Sequence, residues 1–223
     1  MDRPLAFDLL LLSWDDDKGK PHWRSASGLS TGVGGALLLD AILAEAVTVE
    51  DDRVRSTGRS GLDPLVDEVV TDIARRARPP KLKSVVSRMA SGRRVRAVRD
   101  RMVGDGILFR RETRVLGIFP MARHPPADPG QTEALRARIR HLLVGASDPE
   151  QADERDVILA SLAGSTGALE LLVARGERKQ AKQRAEDFRD GTGVSEAVHA
   201  AIRETQAVIA AGAAVVAAGG ASD

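Results

Sequence analysis

The sequence predicts a mainly α fold, a single helical domain with one or two β-hairpins. Apolar residues recur at spacings of three and four through most of the chain. Proline and aspartate fall where helices would begin, and glycine falls where several would end. Alternation of apolar and polar residues is confined to two places, each interrupted by a polar turn. With 223 residues and 43% hydrophobic content, the chain has enough apolar mass for one large core. Aromatics make up only 3%, so Leu, Val and Ala must fill it.

The chain opens on the apolar run Leu9-Leu10-Leu11-Leu12, interrupted upstream by Asp8 and followed by Asp15, Asp16 and Asp17. The positive start and small-residue cleavage site of a signal peptide are missing, so none is expected. Residues 29–46 read as a helix in which Gly32, Gly34 and Gly35 admit close approach by a neighbour. Ser27 or Ser30 is expected to cap it. Val47 and Val49, the turn Asp51-Asp52, then Val54 and Thr57 form a first hairpin. Asp63 and Pro64 cap and start a helix with Leu65, Val66, Val69, Val70 and Ile73 repeating at three and four.

Pro79-Pro80 breaks the chain before a helix carrying Leu82, Val85, Val86 and Met89 on one side. Gly92 separates it from residues 93–103, where Val95, Val98, Met102 and Val103 make the apolar stripe. Arg93, Arg94, Arg96, Arg99 and Arg101 are thereby left largely to solvent. Ile107, Leu108 and Phe109 are expected to face Val115, Leu116, Ile118 and Phe119 across a polar tip at 110–114, a second hairpin. Residues 120–130, with four prolines, read as a loop.

Helices follow. Leu135, Ile139, Leu142 and Leu143 share one face, 157–163 is another apolar stretch, and Leu169, Leu171, Leu172 and Val173 follow Gly167. Residues 175–189 make a highly charged helix with few apolar anchors. A final helix, capped by Thr192, runs to Gly219 with Val198, Ile202, Val208 and Ile209 buried.

Several chemistries are excluded. Without cysteine there is no disulfide or thiolate, and no two of the four histidines have the H-x-x-x-H or H-x-H spacing that would place both on one metal. Gly28-Leu29-Ser30-Thr31-Gly32 lacks the preceding strand of a nucleophile elbow, and no phosphate loop of the Walker type occurs. Asp15, Asp16 and Asp17 suit a surface turn, while Asp63, Asp67 and Glu68 suit capping and ion pairing. No cofactor, metal or enzymatic activity is expected. The most apolar late stretch, 207–218, is shorter than the roughly 20 residues of a membrane span.

Charge supplies the positive signal. From Arg75 to Arg101 the chain gathers eleven Lys and Arg against one acid, Asp100, while the whole protein carries a formal net charge of +1. Either this run is a solvated helix face or it meets an anion such as a lipid headgroup or nucleic acid. Trp23, beside His22 and Arg24 in a polar stretch, either packs into the core or stands at the rim of an anion site or membrane interface.

The residues also carry a family resemblance. Leu9-Leu10-Leu11-Leu12 with Asp16-Asp17-Lys18-Gly19-Lys20, then Trp23, then Gly35-Ala36-Leu37-Leu38-Leu39-Asp40 resembles the opening of the Golgi phosphoprotein 3 family, bacterial members included. Asp63-Pro64-Leu65-Val66-Asp67-Glu68, the basic helix leading to Gly106-Ile107-Leu108, and the hairpin ending at Phe119-Pro120 continue it in order. The resemblance implies one domain over residues 1–223, with no catalytic activity. It also implies recognition of phosphatidylinositol 4-phosphate by a tryptophan and several arginines. Trp23 matches the tryptophan. Gly34 stands where the family has an arginine, and the basic helix's two arginines fall at Gly92 and Val95, beside Arg93, Arg94 and Arg96. The expected site for an anionic headgroup is therefore Trp23, Arg93, Arg94 and Arg96.

The leading expectation is a peripheral adaptor for anionic membrane lipid headgroups, cytoplasmic and attached to the inner membrane face. A homo-oligomer contact is expected through the hairpin from Ile107 to Phe119. One alternative class is a winged-helix nucleic-acid binder, with residues 93–103 in the major groove and Arg110, Arg111 and Arg114 at the wing. Burial of both apolar strands speaks against nucleic acid. A structural or assembly protein that binds no anion is the other alternative.

Overall fold

One helix gives no periodic signal at all, yet it lies at the centre of the molecule: α1 (Leu5–Leu12) is buried at all eight positions, Asp8 included. A helix enclosed on every side has no polar face to set a period, which is why the leucine run reads as featureless. The computed structural model describes residues 3–22, 25–115, 119–145, 152–190 and 194–219. Among these, ten helices and three two-stranded antiparallel sheets are formed, a mainly α architecture.

A two-residue strand β1 (Trp14–Asp15) pairs with β2 (Lys20–Pro21) around the acidic turn, a pairing the sequence did not suggest. α2 (Ala26–Leu43) then runs through the core against α1. It begins at Ala26, with Ser25 at the cap position, so the expected caps at positions 27 and 30 lie within the helix rather than at its start. The first hairpin stands as expected, β3 (Val47–Glu50) against β4 (Arg53–Ser56). Asp51 and Asp52 both take positive φ, 49° and 58°, as a two-residue turn with matching twist requires.

α3 (Pro64–Ala74) starts at the predicted proline. The Leu65 amide donates to the Asp63 carboxylate at 2.9 Å, and Val66, Val69, Val70 and Ile73 face inward. Asp63→Ala is expected to cost about 1 kcal/mol by loss of this cap, read as a shift in a urea midpoint. α4 (Leu82–Met89) buries its four apolar residues, and α5 (Gly92–Gly104) buries Val98 and Met102 while Val95 and Val103 are half-buried. The Ser91 hydroxyl caps α5 by accepting from the Arg94 amide.

The second hairpin corrects the sequence expectation. Strand β5 (Arg111–Val115) pairs with β6 (Phe119–Arg123) in the register Val115 to Phe119 and Arg111 to Arg123, so residues 110–114 are not its tip. The connecting positions 116–118 fall outside the described residues. Ile107 and Leu108 are not strand either: both amides donate to the Met102 carbonyl, at 2.8 and 3.1 Å, and Leu108 is buried. Polar composition at 110–114 imitates a turn, but anchoring of 107–109 to α5 and to Pro125 shifts the pairing along the chain. Residues 120–123 are therefore strand, not loop. Pro120 is tolerated because each strand of a two-stranded sheet has a free edge.

α6 (Pro129–Val144), α7 (Glu154–Ser165), the short α8 (Leu169–Leu172) and α9 (Arg178–Asp190) follow in the expected order. The charged α9 is held by Ala181, Ala185 and Phe188, all buried. α10 (Glu196–Gly219) closes the core against α2, and the small face at Gly35 admits Thr205 of α10. Thr192 lies outside the described residues. The hydroxyl at the start of α10 belongs to Ser195, which accepts from the Val198 amide at 3.3 Å. Among the described residues no helix is long and apolar enough to cross a membrane.

Candidate anion-binding surface

The cationic run from Arg75 to Arg101 spans the end of α3, all of α4 and most of α5, three helices that exchange ion pairs. Arg76 and Arg88 share Asp72, at 2.9 and 3.9 Å, linking α3 to α4, and Arg94 reaches Glu68 of α3 at 3.6 Å. Arg99 pairs with its neighbour Asp100, and Arg101 with Asp105 and Asp63. The other six, Arg75, Arg78, Lys81, Lys83, Arg93 and Arg96, are exposed and have no carboxylate partner among the described residues. Folding thus neutralises about half of the run and leaves a cationic remainder open to solvent.

Arg93 and Arg94 line one shallow depression of about 250 Å³ with Glu68, Ser91 and Ala97. They differ in what they offer. Arg93 is exposed, whereas Arg94 is folded inward with its side chain 14% exposed, Nη1 donating to the Met89 carbonyl at 3.4 Å. Arg94 therefore ties α5 to the end of α4. Arg96 is exposed and does not line the depression. Trp23 lies outside the described residues, as does its neighbour Arg24.

Gly34 has a structural reason to lack a side chain. A Cβ there would lie 2.7 Å from both the Cβ and the carbonyl oxygen of Met89, so α2 and α4 touch backbone to side chain at this point. The Met89 carbonyl that Gly34 faces is the one Arg94 donates to. The close α2–α4 contact thus leaves no room for a side chain at this point, and the Arg94 guanidinium lies at its edge.

The β5–β6 hairpin adds a second feature that sequence patterning missed. Phe109 is 51% exposed and Met121 38%, the exposed large hydrophobic residues among those described, and both sit on this hairpin or at its entrance. Arg110 lies next to Phe109 and faces Glu112 at 3.5 Å. Arg111 and Arg114 lie within β5 and Arg110 just before it, so these arginines do not crown a wing. At the hairpin's base the buried Trp14 donates its indole N–H to the His124 carbonyl at 2.7 Å, and the His124 amide donates to the Gly19 carbonyl at 2.8 Å. Burial, with Arg99 nearby, holds the His124 imidazole below its ordinary value, so it adds no charge near neutral pH. Among the described residues no cluster of His or acidic side chains is arranged to hold a metal ion.

Fold and surface together define a mainly helical domain with a cationic helical face and an arginine-rich, partly apolar hairpin. The family model for Golgi phosphoprotein 3 (GPP34) matches residues 5–205, and the chain belongs to that family. No curated protein matches it.

Proposed function

We propose that this protein is a peripheral adaptor that meets anionic membrane lipid headgroups through the exposed cations of α4 and α5, and that it performs no catalysis. The observation carrying this is that six exposed basic side chains of one sequence run are left without acidic partners. The exposed Phe109 and Met121, flanked by arginines, suit shallow contact with the same interface. Membership of the Golgi phosphoprotein 3 family supports the reading. Phosphatidylinositol 4-phosphate is the finer form of it, with Arg93 the accessible member of the α5 pocket and Arg94 the one that shapes it. The β5–β6 hairpin would serve self-association, which sedimentation of the lipid-free protein measures.

Flotation with phosphatidylcholine vesicles of rising phosphatidylglycerol content, at low and high salt, tests the reading. Capture should rise with anionic lipid and fall with salt, since screening weakens exposed charge within a Debye length. Each basic residue near such a surface contributes about 1 kcal/mol, so Arg93→Ala with Arg96→Ala should weaken partitioning roughly thirtyfold. The charge-matched control, Lys179→Ala with Lys182→Ala on α9, should change it far less. Capture that ignores lipid charge sinks the proposal, and equal losses in the two double variants sink the localised face.

A further inference from the structure

The geometry points to a phosphate-type oxyanion site at the base of the β5–β6 hairpin, clamped between Arg111 and Arg123. This site is separate from the α5 face and does not rest on the lipid reading. Arg111 and Arg123 are directly opposite in the strand register, so their side chains leave the sheet on the same side. Like charges so placed repel, and neither arginine has a carboxylate partner among the described residues. Both line one cavity of about 310 Å³ together with Asp16, Asp17, Gly19 and Pro125.

The acids of the neighbouring turn do not neutralise the pair. Asp16 is held by Arg136 through two bonds, at 2.6 and 2.8 Å, and Asp15 by Lys18 at 2.6 Å. Asp17 engages Arg123 through its backbone carbonyl, which accepts from Nη1 at 3.4 Å, while its carboxylate is left to solvent. Arg123 thus makes one long hydrogen bond, and its Nε is buried with no hydrogen-bond partner. A guanidinium with an unused donor, opposite a second unneutralised guanidinium, supplies the forked donors that a tetrahedral oxyanion matches. The cavity holds about ten waters' worth of space, ample for one phosphate group. Gly19, at φ 57°, has no side chain to fill it; a Cβ there would lie 2.6 Å from the His124 amide nitrogen.

The test follows arginine Nε–H resonances of the full chain by NMR during titration with inorganic phosphate. The Arg123 signal should move and saturate with a dissociation constant on the order of 1 mM. Arg111→Gln should weaken this at least about tenfold, the loss of charge-assisted bonds from one of two guanidiniums. Asp17→Asn should tighten it, and Arg93→Gln with Arg96→Gln should leave it unchanged. Arg111→Glu separates binding from architecture: by pairing with Arg123 it should raise the thermal midpoint while abolishing the phosphate response. An Arg123 signal that stays still, or that responds equally in Arg111→Gln, overturns the site. Vesicles of phosphatidylcholine with phosphatidic acid then distinguish the source. Competition between phosphate and vesicle capture, lost in Arg111→Gln, supports a lipid phosphate; capture indifferent to phosphate supports a soluble one.

Discussion

Asp40→Ala is expected to lower stability by about 2 kcal/mol, within the range that leaving a buried hydrogen-bond donor without its acceptor costs. Asp40 sits on α2, buried against the start of α1, where its carboxylate accepts from the Leu5 amide at 2.8 Å and from Arg155 of α7 at 3.2 Å. Arg155 also donates to the Arg3 carbonyl, and Arg3 pairs with Asp8. One side chain therefore caps the central helix and joins three elements. The loss stays moderate because Arg155 is a quarter exposed and keeps its carbonyl partner. Urea denaturation of both proteins measures it.

The same carboxyl gives stability a pH dependence. Burial pushes Asp40 from the ordinary 3.8 up to about 7; Arg155 and the Leu5 amide pull it back and nearby Asp8 pushes further. Asp8 is itself raised by burial, against the pull of Arg3, Arg155 and Arg138. Asp63 lines the same pocket as Asp40 and Arg155. With its folded value above its unfolded one, Asp40 binds a proton more readily in the folded state. Its contribution is intact below about pH 4 and declines as pH rises through about 7. Asp40→Asn, which retains an acceptor for the Leu5 amide, should flatten that decline in chemical denaturation across the window.

Gly34→Arg, which installs the residue that the family resemblance leads one to expect there, should unfold the protein or cost more than about 3 kcal/mol. Its Cβ alone would stand 2.7 Å from the Met89 carbonyl, and the remaining side chain has to part α2 from α4. Even Gly34→Ala should cost about 1–3 kcal/mol by overpacking. Gly92→Ala, where a Cβ meets nothing nearer than the Arg96 guanidinium at 3.9 Å, should change stability little. Thermal midpoints of the three variants give the comparison. If Gly34→Arg folds normally and raises affinity for anionic vesicles, the tight α2–α4 contact does not bar an arginine there.

Much of the fold was legible because its signals are local. Asp63-Pro64 announces α3, Asp51-Asp52 announces the first turn, and the valines of α4 and α5 mark their buried faces. What escaped was non-local. α1 is enclosed by α2, α5, α6 and α7 and so carries no period. The β5–β6 register is set by the attachment of 107–109 to α5 and Pro125, which polar composition does not encode. The candidate site divided the same way: the cationic run was readable by counting, but Arg94's inward turn toward Met89 and Glu68 was not.

From the sequence alone came the helical class, the order of helices, the excess of cations between Arg75 and Arg101, and the family likeness, because composition, caps and spacing are written along the chain. Only the tertiary structure decided which of those cations remain unneutralised and that Arg111 faces Arg123. Ion pairing and strand register depend on which distant side chains folding brings within a few ångströms.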